Sequence, residues 1–218
     1  MEIIKAEKGY LTILTGKPDM GKSTITVYEC SENLLSGNKV MFFSYEYCQS
    51  IIYHKLISHF KVGWAQLFNL NIVDASKMSL TALVEAIKVK RKAVDVVYID
   101  YLDLLKQATF PKAKDEEEDL KQIQEICNTL ASLALELNIP IVLLSQVGAS
   151  SDFEKAVARL NAFTEKVPAK NTVKMFIGKG NIINEKINFD DIVHIILVDG
   201  YNLRHFSSIN LKEIYGDN

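Results

Sequence analysis

The chain is poor in several residue types whose scarcity is informative. Its 218 residues include three cysteines, four prolines, one tryptophan and three arginines. Cys30, Cys48 and Cys127 are odd in number, far apart and form no C-x-x-C pair, which argues against a disulfide framework or a zinc site. They read as reduced, partly buried thiols. No apolar run reaches the roughly 20 residues that cross a bilayer, and the opening MEIIKAEKGYLTIL lacks the layout of a signal peptide. The expectation is a cytoplasmic protein with no membrane partner. An excess of one charge is missing too: 25 basic against 27 acidic residues leave a formal net charge of −2, so any polyanion would have to meet a local patch.

What remains is the composition of a folded globular protein, with 48% hydrophobic and 24% charged residues, and a length that suits one α/β domain over residues 1–218. Short apolar, β-branched runs alternate with amphipathic segments. Tyr10 to Thr15, Lys39 to Ser44, Asn71 to Val73, Val94 to Asp100, Ile139 to Ser145 and Ile192 to Val198 read as strands buried on both faces. Helical patterns lie between them: Lys22 to Ser36, closed by Gly37-Asn38; Gln49 to Phe60; LTALVEAIKVKRK, capped by Ser79; and Glu117 to Asn138, stopped by Pro140. The alternation predicts an α/β fold, a mostly parallel central sheet with helices on both faces. Its core spans 10–146. After Ser145 the pattern loosens, and Gly148 to Lys174 reads as a long loop, with or without a short helix.

One loop carries chemistry. Gly16-Lys17-Pro18-Asp19-Met20-Gly21-Lys22-Ser23, followed by Thr24, fits G-x-x-x-x-G-K-[ST] at every fixed position, the pattern of a phosphate-binding P-loop. The context agrees, because an apolar strand precedes it and a helical pattern follows. Glycines let backbone N–H groups wrap phosphates, the helix N-terminus adds partial positive charge, Lys22 reaches the β- and γ-phosphates and Ser23 offers a hydroxyl to Mg²⁺. ATP and Mg²⁺ are the cofactors this implies.

Polar residues end three other apolar runs, at the edge where ligands of open α/β sheets bind. Asp100 closes VDVVYID and suits Mg²⁺, or else caps the next element. Glu46, in FFSYEY, is a carboxylate able to polarise a water for attack on the γ-phosphate. Gln146, after IVLLS, can sense that phosphate by hydrogen bonding, or be an ordinary loop glutamine.

These stations, GKPDMGKST, FFSYEY, VVYIDYLDLL and LALELNIPIVLLSQ, resemble in their order the RecA-type motor domain of the DnaB-like replicative helicases of bacteria and phages, over about Tyr10 to Gln146. Pro18 and Met20, Ser44 and Glu46, Asp100-Tyr101-Leu102 and Ser145-Gln146 are the details that point to that group among P-loop proteins. The resemblance implies that Lys22 and Ser23 bind phosphate and Mg²⁺, that Glu46 is the catalytic base, that Asp100 is the Walker B acid and that Gln146 is the sensor. It also implies DNA replication in a bacterial or phage-infected cell, a homo-oligomeric ring or filament, and a replication protein as a possible partner. Two departures stand out: nine residues precede the first strand where the family has an N-terminal domain and linker helix, and Val147-Gly148 replaces the family's Asn-Arg.

Such oligomers place a cation against the neighbour's nucleotide. Arg91 precedes the Walker B strand, at the wrong edge, which leaves Arg159 and Arg204, with Lys179 as a substitute. Arg204 is the preferred candidate. Two loops are expected to track single-stranded DNA: Lys106 to Lys114, with Lys106, Lys112 and Lys114 around Phe110, and Gly148 to Lys174, with Lys155, Arg159 and Lys170. The acidic run Asp115 to Asp119 reads as the solvated start of the next helix. Two other readings stay open. One is a recombination or annealing ATPase that forms filaments on DNA; the other is an ATP-binding regulatory or scaffold relative that turns over slowly for want of an arginine.

Overall fold

A computed structural model of the chain describes residue 4, residues 6–18 and 21–146, and the backbone of three later strands, 172–179, 192–199 and 202–210. The strands are β1 (Leu11–Gly16), β2 (Val40–Ser44), β3 (Leu70–Asp74), β4 (Val96–Asp100), β5 (Ile141–Gln146), β6 (Thr172–Lys179), β7 (Ile192–Asp199) and β8 (Asn202–Asn210). They form one sheet in the order β3-β2-β4-β5-β1-β6-β7-β8. From β3 to β6 neighbours run parallel, while β7 pairs antiparallel with both β6 and β8.

Side-chain alternation explains why both faces of the parallel strands are apolar. Leu11 and Ile13, Met41 and Phe43, Val97 and Ile99, Ile141 and Leu143 enter one core, where they meet helices α4 (Leu80–Lys90), α5 (Leu102–Thr109) and α6 (Glu116–Leu137). Leu14, Val40 and Phe42, Val96 and Tyr98, Val142 and Leu144 enter a second core on the other face, under α1 (Lys22–Leu35), α2 (Gln49–Ser58) and the single-turn α3 (Trp64–Leu67). The sheet is thus a partition between two hydrophobic layers.

Local signals set the helix limits. The Ser79 side chain accepts from the Ala82 N–H, and Asp115 accepts from the Glu118 N–H, so α4 and α6 both start on a side-chain cap. Four acids in the first turn of α6 complement its positive end. That helix stops where Asn138 turns left-handed, at φ 53°, two residues before Pro140. Ile4 is anchored in the second core, and its N–H donates to the buried Glu29 carboxylate at 3.0 Å.

Two expectations need correction, and a third gains detail. Lys106 to Thr109 are the last turn of α5 and not a loop, because Leu102 and Leu105 sit three residues apart and are buried against the first core. The acidic run is more than a solvated helix start: Asp119 forms an ion pair with Lys106, and the Glu118 carboxylate accepts from the Lys114 N–H at 2.7 Å. Finally, residues 172–174 begin β6, and β8 lies where the sequence pattern names no strand. NLRHFSSIN mixes polar and apolar residues, as a strand at the end of a sheet can, and lacks the uniform apolar run that marks a buried parallel strand.

Leu143 is fully buried in β5, between the acidic strand and the loop strand. Replacing it with alanine is expected to lower unfolding stability by about 2–5 kcal/mol, read as a lower urea midpoint with an unchanged slope.

Candidate nucleotide-binding site

Parallel pairing aligns the carboxyl ends of β1, β2, β4 and β5, and Lys22, Ser23, Glu46, Asp100 and Gln146 all lie at that edge. β1 ends in Gly16, and α1 starts after Gly21, which has φ 86° and is left-handed. Only glycine takes that conformation freely. Gly21 also has no side chain to cap α1, and the first helical turn has no acid to compete for an anion at the positive end of the helix. Lys17 and Pro18 are half-buried, whereas Asp19 and Met20 lie outside the described residues.

Lys22 opens α1 and is buried. Its ammonium folds back over the loop and donates to the carbonyls of Gly16 at 2.9 Å and Lys17 at 2.6 Å. Ser23 and Thr24 follow in the first turn, both half-buried. The Ser23 hydroxyl hydrogen-bonds to the carboxylate of Asp100, which ends β4 and is 3% exposed. Burial pushes the Asp100 carboxyl up to about 6; the Ser23 bond opposes this, the Glu46 charge adds to it, and the Lys22 and Lys55 ammonium groups offset it. The peptide between Asp100 and Tyr101 is cis.

Glu46 is carried just beyond β2. Ser44 pairs with Asp100 in the register, and the Tyr45 N–H donates to the Asp100 carbonyl at 2.7 Å. The Ser44 hydroxyl then closes a turn, donating to the Tyr47 carbonyl at 2.7 Å and accepting from the Tyr47 N–H at 3.1 Å. Glu46 sits in that turn, exposed, and close enough to act electrostatically on Asp100. Gln146 ends β5 directly opposite Gly16, half-buried. The strand that ends in Gln146 lies between the loop strand and the acidic strand.

The residues present fit a magnesium nucleotide. Ser23 and Asp100 offer a hydroxyl and a carboxylate, the oxygen donors a hard divalent cation takes. Among the described residues no group of three or more His, Cys, Asp or Glu could hold a metal ion. Lys22 and the uncapped helix start supply the positive charge for the nucleotide's phosphates.

Other candidates are not gathered here. Arg204 is on β8, opposite Leu197 and at the far edge of the sheet, three strands from β1. Lys179 ends β6, opposite Val193. Arg91 is exposed on a 3-10 turn that leads into the opposite end of β4. Lys106, Lys112 and Lys114 line a groove of about 810 Å³ between α5 and α6, together with Phe110, but Asp115, Glu116 and Asp119 line it as well. Its charge is balanced, not basic. Lys155, Arg159 and Lys170 lie outside the described residues. Two participants escaped sequence reasoning: Lys55, which reaches Asp100 electrostatically from α2 and stands 4.9 Å from the centre of the Tyr47 ring, and the Ser44–Tyr47 turn. A hydroxyl two residues before a strand-end carboxylate was the available signal for the turn; Lys55 had none.

Asp100 supplies a stability test. Its folded-state pKa is raised, so the folded protein holds this proton more tightly than the unfolded chain does. The associated stability is complete below about pH 4 and is lost as pH rises through about 6. Asp100→Asn is therefore expected to be more stable than the parent at pH 8, by roughly 1–3 kcal/mol, with the gap closing by about pH 4. Urea unfolding at the two pH values checks this.

Comparison with known proteins agrees with the geometry. A family model, the DnaB-like helicase C terminal domain, matches residues 61–158. The replicative DNA helicase DnaB of Buchnera aphidicola subsp. Schizaphis graminum is 26% identical over 218 residues, covering 86% of this chain and 46% of that protein. The chain spans less than half the length of the curated relatives it matches. Among solved structures, one described as an ATPase domain superposes with a TM-score of 0.68 at 18% identity, covering 97% of this chain and 84% of that one. A DnaB-like replicative helicase, studied for its interactions with primase, gives 0.72 at 16%, covering 97% and 57%. With the loop, the acidic strand and the strand order already in place, the chain has the fold of RecA-like ATPase domains and is similar to the C-terminal domain of DnaB-like helicases.

Proposed function

We propose that this chain, with 1–218 as one RecA-like ATPase domain, is a helicase-like motor that hydrolyses Mg-ATP in response to single-stranded DNA during replication. The observation that carries this is the convergence of Lys22, Ser23, Asp100, Glu46 and Gln146 at one sheet edge, tied by the Gly16–Gln146 and Ser44–Asp100 register and the Ser23–Asp100 bond.

In this reading the loop N–H groups and Lys22 hold the β- and γ-phosphates, and Lys22 exchanges the carbonyls of Gly16 and Lys17 for phosphate oxygen. Bound Mg²⁺, held by Ser23 and Asp100, would neutralise charge on the phosphates. Glu46 accepts a proton from a water whose oxygen attacks the γ-phosphorus; the bond to the β-phosphate oxygen breaks, giving ADP and phosphate. Its exposure leaves room for that water. Gln146, opposite Gly16, reads whether the γ-phosphate is present. Arg204 belongs to a different step: on an edge strand, it is a candidate to reach a neighbouring subunit's nucleotide in a homo-oligomer.

For DNA, Lys112 and Lys114 remain candidates because they are exposed, with Lys155, Arg159 and Lys170. Lys106 is a poor one, since Asp119 already neutralises it. A partner such as primase comes into view only through the relatives.

ATPase rate with and without oligo-dT, alongside Lys22→Ala and Glu46→Gln, tests the proposal. DNA is expected to raise the rate severalfold, and each substitution to lower it at least 100-fold, in line with the 10²–10⁴-fold worth of a positioned base. A slow rate that DNA leaves unchanged would discard the motor in favour of an ATP-binding regulatory role.

A further inference from the structure

On the side of the sheet that α5 and α6 cover, the apolar pattern of β1 and β5 breaks at the same level. Leu11 and Ile13 on β1, and Ile141 and Leu143 on β5, all enter the first core. The next residue on that face of each strand carries a hydroxyl, Thr15 on β1 and Ser145 on β5, and both are buried. The parallel register makes them direct neighbours, one step behind the Gly16–Gln146 pair at the phosphate edge. Paired strands lie about 4.8 Å apart, so the two hydroxyls can meet through a change of rotamer.

That hydrogen bond is not made while Lys22 folds back on the loop. The Thr15 hydroxyl oxygen is the one buried hydroxyl oxygen among the described residues that has no hydrogen-bond partner. Thr26, Ser31 and Ser44 are buried too, but each donates to a backbone carbonyl, of Lys22, Tyr28 and Tyr47 respectively. A buried hydroxyl without a partner carries the cost of its lost hydration. Valine would fill the same volume in a strand without that cost, so the hydroxyl requires a reason.

The neighbours of the pair supply one. The Lys22 ammonium donates to the carbonyl of Gly16, the residue after Thr15, at 2.9 Å. In the proposed mechanism a phosphate draws Lys22 away and frees Gly16, while Gln146, the residue after Ser145, turns to the γ-phosphate. A diphosphate would free Gly16 but give Gln146 no contact.

We infer that Thr15 is a positioning residue of the nucleotide site: when a triphosphate engages both Lys22 and Gln146, the Thr15 hydroxyl closes a hydrogen bond with Ser145 that locks Gly16 and Gln146 side by side. The inference rests on the phosphate-binding reading of the loop and adds to it a means of telling triphosphate from diphosphate. A bond made in only one of two states favours that state by its own free energy, and this one acts through the strand ends without touching phosphate.

The test is equilibrium binding of a fluorescent ADP and a fluorescent non-hydrolysable ATP analogue to the full chain and its variants. Thr15→Val is expected to leave ADP affinity unchanged and to weaken the ATP analogue by about fivefold or more, with a urea midpoint in the absence of nucleotide no lower than the parent's. Thr15→Ser should keep the parental affinities. Ser145→Ala should reproduce the loss, and the double variant should lose no more than either single one. Equal weakening of both nucleotides, an unchanged preference, a lower urea midpoint for Thr15→Val, or the same loss in Thr15→Ser overturns the inference. Lys22→Ala keeps the two readings apart. If it abolishes binding while Thr15→Val changes nothing, the phosphate loop stands and the role of Thr15 falls; if it binds both nucleotides as the parent does, both readings fall.

Discussion

The parallel register of four strands is the constraint on which the site depends. Three of the strand ends carry a polar side chain and the fourth ends in glycine, and the ladder sets them side by side at the roughly 4.8 Å strand spacing: Ser44 opposite Asp100, and Gly16 opposite Gln146. A slip of one residue in any ladder would turn a functional side chain onto the other face and bury it in a helix layer. The apolar residues behind these ends prevent the slip, since they alternate between two separate cores and each has only one register that fills both. Packing thus holds the chemistry in place from a distance.

The electrostatics of the site follow from the same geometry. Asp100 is buried because β4 lies between β2 and β5, and its carboxylate has few partners other than Ser23 and the ammonium groups of Lys22 and Lys55. An ionised carboxylate in such surroundings is costly until a cation arrives. In the proposed site, a carboxylate held in this way would bind a divalent ion more strongly than an equally placed one that water already solvates, at the expense of stability in the free protein.

The parallel core was legible because its signals are local. β-branched runs bounded by Gly, Asn and Pro name the strands, and the glycine pattern between β1 and α1 needs only its own residues to be recognised. α5 was hidden because lysines in KQATFPKAK suggested a basic loop, while the two leucines that bury it lie just upstream in the Walker B stretch. The charge balance of the groove was equally out of reach: the pairing of Lys106 with Asp119 crosses two helices, and spacing in the chain does not announce it. β6 and β8 escaped for a third reason. Strands toward the end of a sheet need not be apolar on both faces, so their periodicity weakens where their geometry still holds.

The folded-back ammonium of Lys22 has a consequence for how the loop meets its ligand. A buried cation normally carries the cost of lost hydration, but here the carbonyls of Gly16 and Lys17 have already replaced the water. Folding has therefore completed the dehydration, and in the proposed site an arriving phosphate would exchange one set of oxygen partners for another. Discrimination then rests on charge: a neutral group of the same shape would gain little over the carbonyls it displaces, whereas an anion gains the full Coulombic difference. The loop is in this sense its own weak ligand, and it sets the threshold that any real one must exceed.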